Sequence, residues 1–293
     1  MQKTNLNKPE LFLITGAVMI SFSGVYVQIA QVAPIVSAFY RLFFGSICLF
    51  FACAVKQEFK NMGTKNNLLA ILCGLAFAFD LGAWHFSIKY VGPGLATILG
   101  NFQVFGLALA GIFLFKEKVR TNFLISLPLA FIGLLLIIGF DTKGLSSSYY
   151  IGVLSGLATA FFYTIFLLLL KKLQSEAKMV SIFYYPMLAA IAGSIFLGSN
   201  ILFSNNTFII PDAKSLFALL SLGVLSQFVA WSMIAKSLPQ VKTSNVGLIL
   251  LLQPAFAFVW DVLFFKRQTN ALGWFGVFVV LIAIYFGMNE RNK

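Results

Sequence analysis

WHFSIK at residues 84–89 is answered, 147 positions later, by WSMIAK at residues 231–236. Each hexapeptide closes an apolar block, the third and the eighth in a series of ten. The correspondence runs on beyond them. Phe115-Lys116 is matched by Phe265-Lys266 and Gln103 by Gln253, both at an offset of 150, and Thr121-Asn122 and Thr269-Asn270 follow the two lysines. Single matches are cheap in a chain rich in Leu and Phe, but a co-linear series of Trp, Gln and Lys is not a product of composition. The chain therefore reads as two related halves of five apolar blocks each, residues 1–144 and 145–293. Five is odd, so if the blocks cross a membrane the second half enters from the opposite side.

Composition makes the membrane reading necessary. Of 293 residues, 60% are hydrophobic and only 10% are Asp, Glu, Lys or Arg. Soluble domains carry about one-quarter charged residues. The apolar residues fall in blocks at about 11–30, 36–55, 67–88, 93–114, 122–140, 149–170, 179–201, 214–235, 243–264 and 270–288, each long enough to cross roughly 30 Å of hydrocarbon. Backbone amides in that zone need internal partners, so the blocks are helices. Gln31 to Pro34 closes the first, a break from Tyr90 to Pro93 opens the fourth, and Gly92 and Gly94 allow a tight turn there. The fold class is all-α, a polytopic protein of ten transmembrane helices in two inverted five-helix repeats. The first block, followed by nine more, reads as a spanning helix rather than a cleaved signal.

The net charge of +12 does not point to nucleic acid, because the bases sit in short clusters between apolar blocks. With the N-terminus inside, fifteen bases are cytoplasmic: Lys3, Lys8, Lys56, Lys60, Lys65, Lys116, Lys118, Arg120, Lys171, Lys172, Lys178, Lys236, Lys242, Arg291 and Lys293. Five fall on the other side, namely Lys89, Lys143, Lys214, Lys266 and Arg267, and Arg41 completes the 21. That asymmetry places both termini in the cytoplasm.

Polar residues within the blocks are the candidate site. Arg41, about one turn into the second helix, is too costly to leave facing lipid; it snorkels, pairs with an acid or binds an anionic group. Asp80, at a similar depth in the third helix, is its expected partner, and Trp84 lies one turn further on the same face. His85 reads as a polar tip at headgroup level, and Asp261 as neutralised by Lys266 or Arg267. Asn101 and Gln103 interrupt the fourth helix near mid-membrane, and Gln253, followed by Pro254, interrupts the ninth at the matching place. The candidate substrate-binding residues are Tyr40, Arg41, Asp80, Trp84, Asn101, Gln103, Tyr163, Gln227, Trp231 and Gln253. The Gln103/Gln253 pair leads, because a site is expected at the repeat interface. Trp84, Trp231, Trp260 and Trp274 lie toward segment ends, where interfacial anchoring places indoles.

Cys48, Cys53 and Cys73 have no C-x-x-C spacing and read as small buried hydrophobes, not as a disulfide or metal site. No phosphate loop, dinucleotide fingerprint or catalytic triad motif is present. The chain is thus expected to be no enzyme and to need no cofactor or metal. Its partners are a small-molecule substrate, the lipid bilayer, and protons or a counter-substrate; it acts as monomer or homodimer. The leading reading is a secondary transporter of a small polar or amphipathic metabolite, amino acids and amines favoured by the opposite charges of Asp80 and Arg41. Alternatives are import or exchange of a larger aromatic or nucleotide-like metabolite, and a non-transport scaffold or receptor.

The chain resembles the drug/metabolite transporter superfamily, specifically bacterial proteins with two EamA-type repeats. The residues that carry the resemblance are Ala33 to Gly45, with Arg41 as the matching early arginine, Ala83 to Tyr90, Gly94 to Phe105 and Phe115-Lys-Glu-Lys118, with a glutamate at Glu117. Gln253-Pro-Ala-Phe256 keeps a mid-helix proline that Asn101-Phe-Gln-Val104 lacks, and Arg267 stands where a second glutamate is expected. The resemblance implies a bacterial inner-membrane protein with cytoplasmic termini and a central cavity lined by both halves. Members move cargo by ion-independent exchange or by proton coupling.

Overall fold

Helix starts are written into the sequence at several points. Pro34 occupies the first turn of one helix, where a missing N–H costs nothing. Asp212 caps another by accepting from the Ser215 N–H at 2.6 Å. In the computed structural model ten apolar helices follow in order: α1 (Lys8–Ile29), α2 (Pro34–Lys56), α3 (Thr64–Ser87), α4 (Ala96–Phe113), α5 (Thr121–Ile138), α6 (Ser148–Ser175), α7 (Tyr184–Leu202), α8 (Ala213–Gln240), α9 (Thr243–Phe265) and α10 (Ala271–Met288). Among the described residues nine helices are long and apolar enough to cross a membrane, and α5 is a shorter apolar helix. The structure describes residues 7–61, 63–118, 121–138, 147–177, 181–266 and 269–288, with the backbone alone at 88–89, 92–95, 138, 147 and 176–177. No strand occurs among the described residues.

The expected break at Tyr90 to Pro93 takes a different form. Helical hydrogen bonding continues from Thr64 to Asn101, yet a Cβ on Gly100 would lie 3.9 Å from the Trp84 ring. A straight helix would separate residues sixteen apart by about 24 Å. The run therefore doubles back while keeping helical turns, and α3 and α4 lie side by side. The side chains of Lys89 and Pro93, and the substituent-free faces of Gly92 and Gly94, are outside the described residues. So are Lys3, Arg120, Lys143, Lys178, Arg267, Arg291 and Lys293, and the expected boundary at 144/145.

The most extensive contacts join helices of opposite halves. α1 packs on α8 and α9, α2 on α7 and α8, α3 on α6 and α7, α4 on α6 and α9, and α5 on α10. Exchanging each helix for the one five places on leaves this pattern unchanged. Glycines make several close approaches at these contacts, and they too obey the exchange. Gly45 of α2 meets Gly223 of α8, while Gly193 of α7 meets Gly74 of α3; Gly133 and Gly276 face one another where α5 crosses α10. Small residues let backbones approach where the bilayer supplies no hydrophobic drive between helices. Large apolar side chains such as Phe51, Phe113, Phe161 and Phe217 point outward instead, as lipid contact requires.

Candidate functional site

Two helices are interrupted at matching places. α4 breaks at Phe102 (φ −58°, ψ −12°) and α9 at Leu251 (φ −65°, ψ −11°), 149 positions apart and in the same conformation. The Leu251 break precedes Pro254, which has no N–H to give the Leu250 carbonyl. α1 is also interrupted at Phe22, and α8 runs as a π-helix over Leu222–Ala230. Such wide turns concentrate at functional sites because they redirect a side chain. Here Gln227 is the redirected residue.

These irregular stretches surround a cavity of about 460 Å³. Its walls come from α1 between Ile20 and Gln28, α2 between Pro34 and Arg41, α3 between Phe77 and His85, and α4 between Thr97 and Asn101. Leu134 and Ile137 of α5, Thr159 and Tyr163 of α6, Leu222 and Trp231 of α8, and Gln253 to Asp261 of α9 complete them. All of these lie at mid-span or toward one end. The other end, where Lys8, Lys56, Lys65, Lys116 and Lys242 gather, is packed solid with Leu13, Phe123, Leu127, Leu170, Leu173, Leu238 and Val246. The cavity is one-sided.

Of the ten residues expected to bind substrate, seven line the cavity: Arg41, Asp80, Trp84, Asn101, Tyr163, Trp231 and Gln253. Three do not. Tyr40 turns outward and donates its hydroxyl to the Phe208 carbonyl at 2.6 Å. Gln103 is wholly buried away from the cavity, with neither amide atom hydrogen-bonded among the described residues, so the Gln103/Gln253 pair is split despite its symmetry in sequence. Gln227 stands behind the wall and accepts from Nε of Arg41 at 3.2 Å. That bond replaces the expected Arg41–Asp80 pairing as the arginine's direct contact. Both side chains are almost wholly buried, at 8% and 7% exposure, and both line the cavity.

Phe77 organises this region. The Arg41 guanidinium lies over its face at 5.3 Å from the centroid, and Trp231 meets its edge at 5.5 Å. Asp80 follows one turn later on the same helix, and it lines the cavity together with Phe77 and Arg41. Phe166 stacks on Phe77 at 4.2 Å, and Gln253 donates Nε2 to the Tyr163 hydroxyl at 3.2 Å. Asn101 spends one donor on the Thr97 carbonyl at 2.8 Å, which leaves its own carbonyl oxygen as an acceptor.

The tryptophans depart from the anchoring expected of them. Only Trp274 is exposed as an interfacial ring would be. Trp231 is 4% exposed and Trp84 lines the cavity. Trp260 stacks on Phe22 at 4.1 Å and donates Nε1 to Ser21 at 2.7 Å. His85 likewise borders the cavity rather than the headgroup layer, and Asp261 lines its wall. Cys73 is buried against the Phe166 carbonyl. Phe77 has no polar atom to mark it in sequence, and Gly45 meets Gln227 and Gly223, which lie more than a hundred positions away.

Comparison with known proteins returns one family twice. The profile of the EamA-like transporter family matches residues 7–139 and again residues 150–288. An "Uncharacterized transporter" of Haemophilus influenzae is 23% identical over 277 residues, covering 87% of either chain. The "Uncharacterized inner membrane transporter YhbE" of Escherichia coli K12 is 23% identical over 296 residues, covering 88% of this chain and 84% of that one. A crystal structure of a further protein superposes with a TM-score of 0.82 at 12% identity, over 96% of this chain and 98% of the other. At that identity the likeness concerns the fold alone.

Proposed function

The chain belongs to the EamA-like transporter family, and from that premise we propose that it moves a small polar or amphipathic metabolite, an amino acid or amine, across the inner membrane by alternating access. The observation that carries the reading is the one-sided cavity lined by both Arg41 and Asp80, with the guanidinium held over the Phe77 ring. A zwitterion would set its carboxylate toward the free guanidinium N–H groups and its ammonium toward the carboxylate of Asp80, with apolar bulk against Trp84, Trp231 and Tyr163. A volume of about 460 Å³ accommodates such a molecule with its water.

Interlocked halves supply the motion. When two repeats are related by a pseudo-two-fold axis in the membrane plane, each can take up the other's conformation, and the cavity then faces the opposite end. The matched breaks at Phe102 and Leu251 are the joints that such an exchange would flex. We place the division between the halves at 144/145 and the lysine-rich end in the cytoplasm, so the conformation described faces outward. A gradient of protons or a counter-substrate would drive the cycle.

The aromatic walls also suit a larger ring-bearing metabolite held by stacking. Counter-flow in liposomes separates the two. Trans-stimulated uptake of labelled amino acids or amines, competed only by compact charged analogues, is the expected result. Uptake confined to bulky, nucleotide-like solutes would move the assignment to the second reading. Absence of trans-stimulation across a broad metabolite panel would overturn both.

A further inference from the structure

α9 starts at the packed, lysine-rich end with no acceptor of its own, for Lys242 occupies the capping position. The first N–H groups of a helix need partners, and they favour negative charge. Glu117, from the loop after α4 in the other half, provides both. Its Oε1 accepts from the Thr243 N–H at 2.5 Å, and its Oε2 accepts from the Ser244 N–H at 3.1 Å and the Ser244 hydroxyl at 2.9 Å.

The loop is shaped for this one contact. Lys116 takes a left-handed conformation (φ 52°), and the Glu117 N–H returns to the Gly111 carbonyl at 2.8 Å. The carboxylate lies directly on Gly111, where a Cβ would stand 2.6 Å from Oε2. Lys171, the charged neighbour from α6, donates to the Val241 carbonyl and the Thr243 hydroxyl, both at 2.8 Å. A second acid repeats the arrangement nearby. Glu58, from the loop after α2, accepts from the N–H groups of Ile182 and Phe183 at the start of α7. At the same end, therefore, two acids of the first half cap two helices of the second.

We propose that Glu117 is the latch that holds this end of the transporter shut, and that the cavity opens toward it only when the carboxylate leaves the start of α9. The proposal rests on the alternating-access reading above and assigns a residue to its gate. α4 and α9 are the helices that break at matching places, so a tie between their ends at this side fixes the angle of both joints. In sequence the counterpart of Glu117 is Arg267, 150 positions on. No acid occupies that position, so the two ends differ in chemistry although the halves share a fold.

Burial raises the pKa of the Glu117 carboxyl, but the hydrogen bonds from Thr243 and Ser244 outweigh it and hold the group below its ordinary 4.5. The latch therefore stays charged near neutrality and opens by motion rather than by protonation.

The test measures access and needs no cargo. In a chain whose three native cysteines are replaced, a single reporter is placed either in the cavity, Ala257→Cys, or beneath the latch, Val246→Cys. A membrane-impermeant maleimide is applied to vesicles of either orientation. Cavity labelling from the non-cytoplasmic side alone, and slow labelling beneath the latch, are expected before the latch is altered. E117Q should speed labelling beneath the latch from the cytoplasmic side by about tenfold and slow cavity labelling from the other side. S244A, a milder change that keeps the acid, should do the same to a smaller degree. Unchanged rates in both variants, with normal folded yield, would overturn the latch and leave alternating access standing. A rise in cavity labelling from both sides together in E117Q would overturn alternating access itself, because alternating states trade access on one side for access on the other.

Discussion

Nε of Arg41 donates to Oε1 of Gln227 at 3.2 Å, across the contact between α2 and α8. The Gln227 side chain reaches the arginine by running over Gly45, one turn further along α2. Gln227→Leu should leave the guanidinium one acceptor short and cost about 1–3 kcal/mol of stability, read as a lowered melting temperature in detergent together with a raised KM for counter-flow. Arg41→Lys should not restore transport, because an ammonium lacks the planar fork that binds Gln227 on one edge and a carboxylate on another. An unaltered KM in both variants would remove Arg41 from the site.

Asp80 and Gln253 face the same space from opposite halves. Asp80→Asn and Gln253→Ala should each reduce flux, the first by about tenfold or more as a charge-assisted contact is lost, while folded yield stays near that of the parent. Initial rates in liposomes against yield by gel filtration make the check. Parental kinetics in both variants would sink this placement of the site.

The glycine contacts predict stability independently of transport. A Cβ on Gly74 would collide with the Ala189 carbonyl, a backbone atom that cannot swing aside. Gly74→Ala should cost about 1–3 kcal/mol, the usual range for overpacking. Gly82, in the same helix, has open space around it, so Gly82→Ala should be neutral or stabilising by about 0.4–1 kcal/mol. Thermal melts of the pair provide the comparison, and equal melting points would contradict the packing described.

A pH series follows from Glu117. A carboxyl whose folded pKa lies below its unfolded value contributes stability that is fully present above the unfolded pKa, and that is lost as pH falls through the folded one. One-sided cavity labelling should therefore hold from about pH 8 to about pH 5.5 and fail only in stronger acid. Labelling beneath the latch that rises between those two values would contradict it.

The ten spans were legible because bilayer thickness imposes a length on each apolar block, and the inverted repeat because Trp84/Trp231 and Gln103/Gln253 are rare residues in register. Arg41's partner was not legible. Asp80 is the obvious acid at similar depth, and the competing acceptor reaches it only through a π-helical turn and a glycine notch, neither of which has a composition signal. Gln103 and Gln253 show the limit of symmetry as a guide: Gln103 is the first residue after its break and Gln253 the second, about 100° further round the helix, so one amide lies in packing and the other lines the cavity. Phe77 was one of 34 phenylalanines until its neighbours were known.

Because the principal helix contacts join opposite halves, the first half has few partners while it is being made. α1 to α5 leave the ribosome before α6 exists, and synthesis at about 5–20 residues per second leaves them waiting on the order of ten seconds for the remainder. Through that interval Arg41 and Asp80 sit in lipid-facing helices without the packing that later encloses them. Both residues therefore need shelter from lipid until α7 and α8 arrive, and a chain truncated after α5 is expected to be degraded rather than to persist as half a transporter.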